Sequence, residues 1–326
     1  MKFKSLTTVA TAALLTFSVC PCAKELGAYP LRPIRLIVPA TPGAPPDIVA
    51  RVIGEKMSAA LGQPVIVDNR AGAGGAIALE TLAKALADGH TLGVIGMPFI
   101  AVTPRLVSRL PYNANTDFEL IALVAWNYNI LAVPANSPIS SVAQLVATAK
   151  AKPGLLRYSS GGSGTPAHLT SELLKRAAVI ELLHVPYKGA SAAVGAVVAA
   201  EVDMIIGATG ALTPYLSAGR LRALATAAPN RIRAYPELPT FTELGYPMVV
   251  FRDWQAMFAP SGTPAAVVER LHAEIIKAIA ATSSRQRLEV LGMEVASIGQ
   301  EQARARMRAD IDQVGQLITD LRIKAD

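Results

Sequence analysis

The chain has 326 residues, 52% of them hydrophobic, 17% charged and 5% aromatic, with two cysteines and a formal net charge of +7. That apolar fraction excludes an intrinsically disordered chain, and two cysteines exclude a disulfide scaffold. The basic residues are scattered, with few aromatics among them, which argues against a nucleic-acid surface and leaves a globular protein of roughly two domains.

Lys2 and Lys4, the uncharged run Leu6 to Val19 and then Cys20-Pro21-Cys22-Ala23 read as a secretory signal peptide over residues 1–23. The run is too short to span a bilayer, and no later apolar run approaches about 18 residues. Bulky Val19 before Cys20 makes a poor lipidation box, so a lipid anchor is not the expected fate. Cleavage after Ala23 removes both cysteines, and the exported chain then relies on its core alone.

Beyond the leader, short apolar runs alternate with helical patterns. Strands are expected at Ile34–Val38, Val65–Val67, Thr91–Ile95, Ile130–Val133, Leu155–Tyr158, Leu182–Val185, Val202–Ile206, Leu221–Ala225 and Met248–Phe251. Most are continuous apolar runs, as in parallel strands covered on both faces. Ile48, Val49, Val52, Ile53, Met57, Ala60 and Leu61 repeat at helical spacing, with Gly62 placed as a C-cap. Val142–Lys150, Ala167–Ala177 and Pro264–Ala281 follow the same pattern. The alternation predicts an α/β fold with a parallel-rich sheet in each of two lobes. Residues 24–125 and 249–326 are expected to form one lobe and 126–248 the other, with a hinge of two crossings near 122–130 and 245–256.

Two strand-to-helix turns resemble each other: Val38 to Asp47, and Tyr158 to Pro166. Each is poor in bulky side chains and puts Pro at the start of its helix, where the missing N–H costs nothing. Free N–H groups and the positive end of a helix dipole make such a turn an anion site, at the end of the strands where open α/β sheets bind ligands. In the second turn Ser160, Ser163 and Thr165 add hydroxyls beside the N–H groups of Gly162 and Gly164, although Thr165 equally suits a helix N-cap. Asp47 is either a carboxylate favoured by the helix dipole or a rim charge that biases ligand choice.

Other chemistry is scarce. Gly72-Ala73-Gly74-Gly75-Ala76-Ile77 fails the dinucleotide pattern, because its third glycine position is Ile77. Ser163 in Gly-Gly-Ser-Gly-Thr is one place out of frame for a nucleophile elbow. His90, His168, His184 and His272 do not pair at metal spacing; His184 reads as a core histidine and His272 as part of a solvated helix face. No cofactor, metal or catalytic set is expected.

Several segments together resemble the substrate-binding receptors of tripartite tricarboxylate transporters, the Bug-type family. They are Val38–Asp47, Leu61 to Gly75, Ala87 to Leu92, Leu110-Pro111-Tyr112, Ser160–Leu169, His184 to Gly189, Gly219 to Leu224 and Ala259 to Pro264, in that order from about Tyr29 onward. The resemblance implies a periplasmic, monomeric binding protein whose two lobes close on a small carboxylate and deliver it to membrane transporter subunits. It implies ligand contacts from Ala40, Thr41, Gly43, Ala44 and Asp47 in the first loop, and from Ser160, Gly162, Ser163, Thr165 and His168 in the second. Met97, Tyr187 and Ala208 complete the implied pocket. The chain departs from the family pattern at Ala44, where a second glycine is usual, and at Pro45-Pro46, which strip two donors from the helix start. A receptor that informs a sensing partner and a Rossmann-type enzyme stand as the alternatives.

Overall fold

The computed structural model describes residues 29–324, so the signal peptide expected over residues 1–23 lies outside the described residues. The chain begins with β1 (Ile34–Val38), α1 (Pro45–Leu61), β2 (Val65–Asn69), α2 (Ala76–Ala83), β3 (Thr91–Gly96), α3 (Met97–Ala101), α4 (Thr103–Leu106) and β4 (Phe118–Asn127). It continues through β5 (Asn129–Pro134), α5 (Val142–Ala151), β6 (Arg157–Ser160), α6 (Pro166–Ala178), β7 (Leu183–Pro186), α7 (Ala190–Val198), β8 (Met204–Ala208), α8 (Thr209–Ser217) and β9 (Leu221–Thr226). It closes with β10 (Asp253–Pro260), α9 (Ala265–Ala280), α10 (Thr282–Glu289), β11 (Met293–Val295) and α11 (Gln300–Asp320).

These strands form two sheets, ordered β11-β4-β10-β3-β1-β2 and β7-β6-β8-β5-β9. The chain passes from the first sheet to the second at Tyr128 and returns between Thr226 and Asp253. Both sheets are mixed rather than parallel-rich. β2, β1 and β3 run parallel, as do β7, β6 and β8, while the remaining pairings are antiparallel. A strand that arrives from the other lobe, as β5 and β10 do, needs no helical crossover, so nothing constrains it to run parallel.

The apolar runs are covered to different extents. β5 and β10 are buried at every position, whereas the edge strands β2 and β7 are only partly covered. Gly62 ends α1 at φ +67°, the left-handed conformation that glycine adopts without strain. The strand expected at Met248–Phe251 is instead a 3₁₀ turn at Pro247–Val249, and the strand follows it as β10. Pro247 lacks the N–H a ladder needs, which favours the turn.

Packing follows the same division. Ile34, Leu36, Ile53, Met57, Leu271 and Ile275 bury one face of the first sheet beneath α1 and α9. Ile130, Val194, Val197 and Leu212 cover one face of the second beneath α7 and α8. A third cluster, from Leu79 through Leu131 and Leu169 to Trp254, runs across both lobes. Each fully buried Leu or Ile contributes about 1.5–3 kcal/mol, so the clusters supply what disulfides do not.

Candidate functional site

A cavity of about 470 Å³ lies between the two sheets. Helix starts from both lobes form its wall: Ala44, Pro45 and Pro46 of α1, Pro166 and Ala167 of α6, Ala190 of α7, and Ala208 just before α8. First-turn N–H groups have no partner within their own helix, and the dipole adds positive potential at each of these ends. Several such ends meeting at one cavity make a place for an anion. Most of the remaining wall is apolar, with Phe99, Val102 and Leu106 from the first lobe facing Val194 and Ile205 from the second. Phe99 lies over the third glycine loop: a Cβ on Gly75, at φ +88°, would come within 2.3 Å of the Phe99 ring. The lobes meet closely here, since a Cβ on Gly164 would come within 2.6 Å of Leu106 and 2.7 Å of Val102.

The two loops close in different ways. In the first, the Asp47 carboxylate turns back under the loop. It accepts from the Gly43 N–H at 2.8 Å and from Asn69 Nδ2 at 3.0 Å, and pairs with Arg51 at 2.9 Å. Burial alone would raise its pKa, but Arg51, the Gly43 N–H and Asn69 outweigh burial and hold it below the ordinary carboxylate value. Pro45 and Pro46 have no N–H, and the Ala44 N–H is given to Thr41 O at 3.2 Å. Little donor capacity is left in this loop.

The second loop is tied by backbone, hydroxyl and imidazole groups. The Gly164 N–H donates to His168 Nδ1 at 3.0 Å, so that nitrogen carries no proton. The Thr165 hydroxyl donates to Gly162 O at 2.7 Å rather than capping α6. Ser160 Oγ lies 2.7 Å from His184 Nε2 and donates to Gly162 O at 3.1 Å. The rings of His168 and His184 stack at 4.2 Å and 4°, and His184 stacks on Tyr158 at 4.8 Å and 16°. His184 is thus a packed, satisfied ring. His272 is not on a solvated face; it is part-buried, with Nδ1 2.8 Å from Ile121 O.

Of the residues expected to touch ligand, Ala40, Ala44, Ser163, Thr165 and Ala208 line the cavity. The others lie elsewhere. Thr41 and Gly43 are exposed on the outer side of the first loop. Asp47 and Met97 are buried in the wall behind it. Ser160, Gly162 and His168 build the second loop from beneath. Tyr187 reaches Glu201 at 3.4 Å, away from the cavity.

Among the lining residues that went unnoticed in the sequence are four polar ones at the strand crossings: Asn127, Asn129, Asp253 and Gln255. They sit where the chain crosses between sheets, at the end of β4, the start of β5 and the start of β10. The available signal was polar residues interrupting apolar runs, in Trp126-Asn127-Tyr128-Asn129-Ile130 and in Asp253-Trp254-Gln255-Ala256. Such residues in fully covered strands need partners. Burial pushes the Asp253 carboxyl up to about 7, against the opposing hydrogen bonds of Asn127 and the Met97 N–H. Among the described residues no three His, Cys, Asp or Glu side chains gather as a metal set, and no helix is long and apolar enough to cross a membrane.

Comparison with known proteins matches this architecture. Residues 49–323 match the family described as the tripartite tricarboxylate transporter family receptor, TctC. The UPF0065 protein in the tcbD-tcbE intergenic region of Pseudomonas sp. strain P51 is 41% identical over 305 residues, covering 93% of this chain and 90% of its own. The R. palustris protein Rpa4515, solved with adipate, is 32% identical with a TM-score of 0.84, over 91% of this chain and 99% of that one. MatC (Rpa3494) from Rhodopseudomonas palustris, solved with bound malate, is 29% identical with a TM-score of 0.78, over 89% and 100%. With its two-lobed α/β fold and a match over most of its length, the chain belongs to the TctC family of tripartite tricarboxylate transporter receptors.

Proposed function

We propose that this protein is an exported solute-binding receptor that captures a small carboxylate between its lobes, delivers it to a membrane transporter of the tripartite tricarboxylate type, and catalyses no reaction. The observation that carries this reading is the convergence of helix starts from both lobes on one cavity between the sheets. Each start brings positive dipole potential, and those of the second lobe add first-turn N–H groups, which favours a carboxylate without any need for a cation. Relatives of the same fold hold adipate and malate. The second loop is the better seat for the acid group. Its ties are backbone, hydroxyl and imidazole groups, whereas the first loop already holds the Asp47 carboxylate. Residues 24–125 with 249–326 act as one lobe and 126–248 as the other, and the two crossings serve as the hinge. Residues 1–23 direct export to the periplasm, and the receptor works as a monomer.

A thermal-shift screen of the purified protein against a panel of carboxylic acids tests this. A cognate acid at 100 times its dissociation constant is expected to stabilise the protein by about 2.7 kcal/mol. A shift with a nicotinamide dinucleotide and none with any carboxylate would sink the receptor reading in favour of a cofactor-dependent enzyme.

A further inference from the structure

One pole of the cavity differs from the rest of its wall. Asn127, Asn129, Asp253 and Gln255 line it, and their exposures are only 2%, 2%, 4% and 1%. Each keeps one oxygen without a hydrogen-bond partner in the protein: Asn127 Oδ1, Asn129 Oδ1, Asp253 Oδ1 and Gln255 Oε1. The neighbours fix which way the amides face. Thr170 Oγ1 donates to Pro166 O at 2.6 Å, so towards Asn129 it acts as acceptor and receives Asn129 Nδ2 at 2.9 Å. Asn127 Nδ2 and Gln255 Nε2 both approach Asp253 Oδ2, at 3.3 and 3.4 Å. Reversing either amide would set oxygen against carboxyl oxygen. The unmet amide atoms at this pole are therefore acceptors, three of them, beside the Asp253 carboxyl, in a wall otherwise rich in Ala, Pro and Val.

A buried acceptor that loses water and gains no donor pays its full desolvation penalty. A ligand end that fits this pole must bring hydrogen. A methyl end brings none. An ionised carboxylate brings only more acceptors against the three amide oxygens.

Resting on the receptor reading above, we infer that Asn127, Asn129, Asp253 and Gln255 form a subsite for the second head of the ligand, and that this head is a hydrogen-bond donor, an amino or hydroxyl group, rather than a second carboxylate. The ligand class is thus an amino or hydroxy carboxylic acid, with its acid group towards the helix starts and its donor end at the strand crossings.

Calorimetry on the purified full chain with chain-matched acids tests the assignment. One series is 6-aminohexanoate, 6-hydroxyhexanoate, adipate and heptanoate; the other is 4-aminobutanoate, 4-hydroxybutanoate, succinate and pentanoate. In at least one series the amino or hydroxy acid is expected to bind tenfold or more tighter than both the diacid and the methyl-ended acid. Asp253→Asn then separates the two donors: a tenfold loss confined to the amino acid identifies an ammonium head, and a loss below threefold identifies a hydroxyl. If acids bind but the donor end confers no advantage in either length, the subsite assignment falls and the receptor reading stands. If none of the eight acids binds, and the wider panel fails too, the receptor reading falls and takes the subsite with it. The comparison among acids is made on the unaltered protein, so it does not depend on the variant folding.

Discussion

Asp47 and Asp253 are buried to nearly the same depth, at 2% and 4% exposure, yet their surroundings differ in kind. Asp47 has a guanidinium, an amide and a backbone N–H around it, with every contact between 2.8 and 3.1 Å. Asp253 has no cation beside it, only the Met97 N–H and two side-chain amides at 3.3 and 3.4 Å, and its Oδ1 meets no side-chain partner. The first carboxyl is held below its ordinary pKa and the second is pushed up to about 7. Depth of burial therefore does not decide what a buried acid does. The inventory of partners does: Asp47 acts as a strut within the wall, and Asp253 keeps unspent bonding capacity at the cavity.

The largest expected effect tests the strut. Asp47→Ala strips the Gly43 N–H and Asn69 of their acceptor and is expected to cost about 2–3 kcal/mol in urea unfolding. The order of preference among carboxylic acids should stay as it was, because Asp47 does not line the cavity. A reordered preference with little loss of stability would break the contrast between the two acids.

A smaller effect, opposite in sign, is expected at Asp253. Its carboxyl keeps its proton up to about pH 7 in the folded chain, against an ordinary value of 3.8. Between those two values the unfolded chain has already lost the proton, so raising the pH favours unfolding. Relative to Asp253→Asn, the parent should lose stability progressively as pH rises from about 4 to about 7, and the two should run parallel outside that window. Scanning calorimetry across this range reads the difference directly; identical pH profiles would mean that Asp253 is ionised throughout.

The smallest effect probes the second loop. Thr165→Val removes the hydroxyl that donates to Gly162 O and should cost about 0.5–1.5 kcal/mol of stability. The same bond shapes the loop beside the cavity, so carboxylate affinity should fall with it. A variant that loses stability and binds its acid normally would reduce Thr165 to a loop tie.

Much of the fold was legible because its signals are local. β1, β3 and β5 are predominantly apolar, and Gly62 stands where α1 must end. β4 was missed because only Tyr128 separates it from β5, although the two belong to different sheets. In the sequence they form one apolar stretch, and the change of sheet is a tertiary event. The site was legible as two loops, but not as individual contacts. Ala44 faces the cavity while Asp47, three residues on, does not, and Ser163 lines it while Ser160 lies beneath. A motif marks the residues that build a turn, and those need not be the residues whose side chains face outward from it. The polar pole was invisible because Asn127, Asn129 and Asp253 come together only when two distant crossings meet.

The placement of β10 has a consequence for how the molecule is assembled. β10 lies between β3 and β4, so those two strands are joined into one sheet only once residues 253–260 have been inserted between them. The second sheet, by contrast, draws all of its strands from the continuous stretch 129–226. Contacts distant in sequence form more slowly, because the intervening loop must be closed before any pairing energy is gained. As the chain emerges, the second lobe has everything it needs while the first still waits for its middle strand. The order of maturation is then the reverse of the order of synthesis: the lobe that starts the chain is the last to be completed, and the cavity comes into being only at that final insertion.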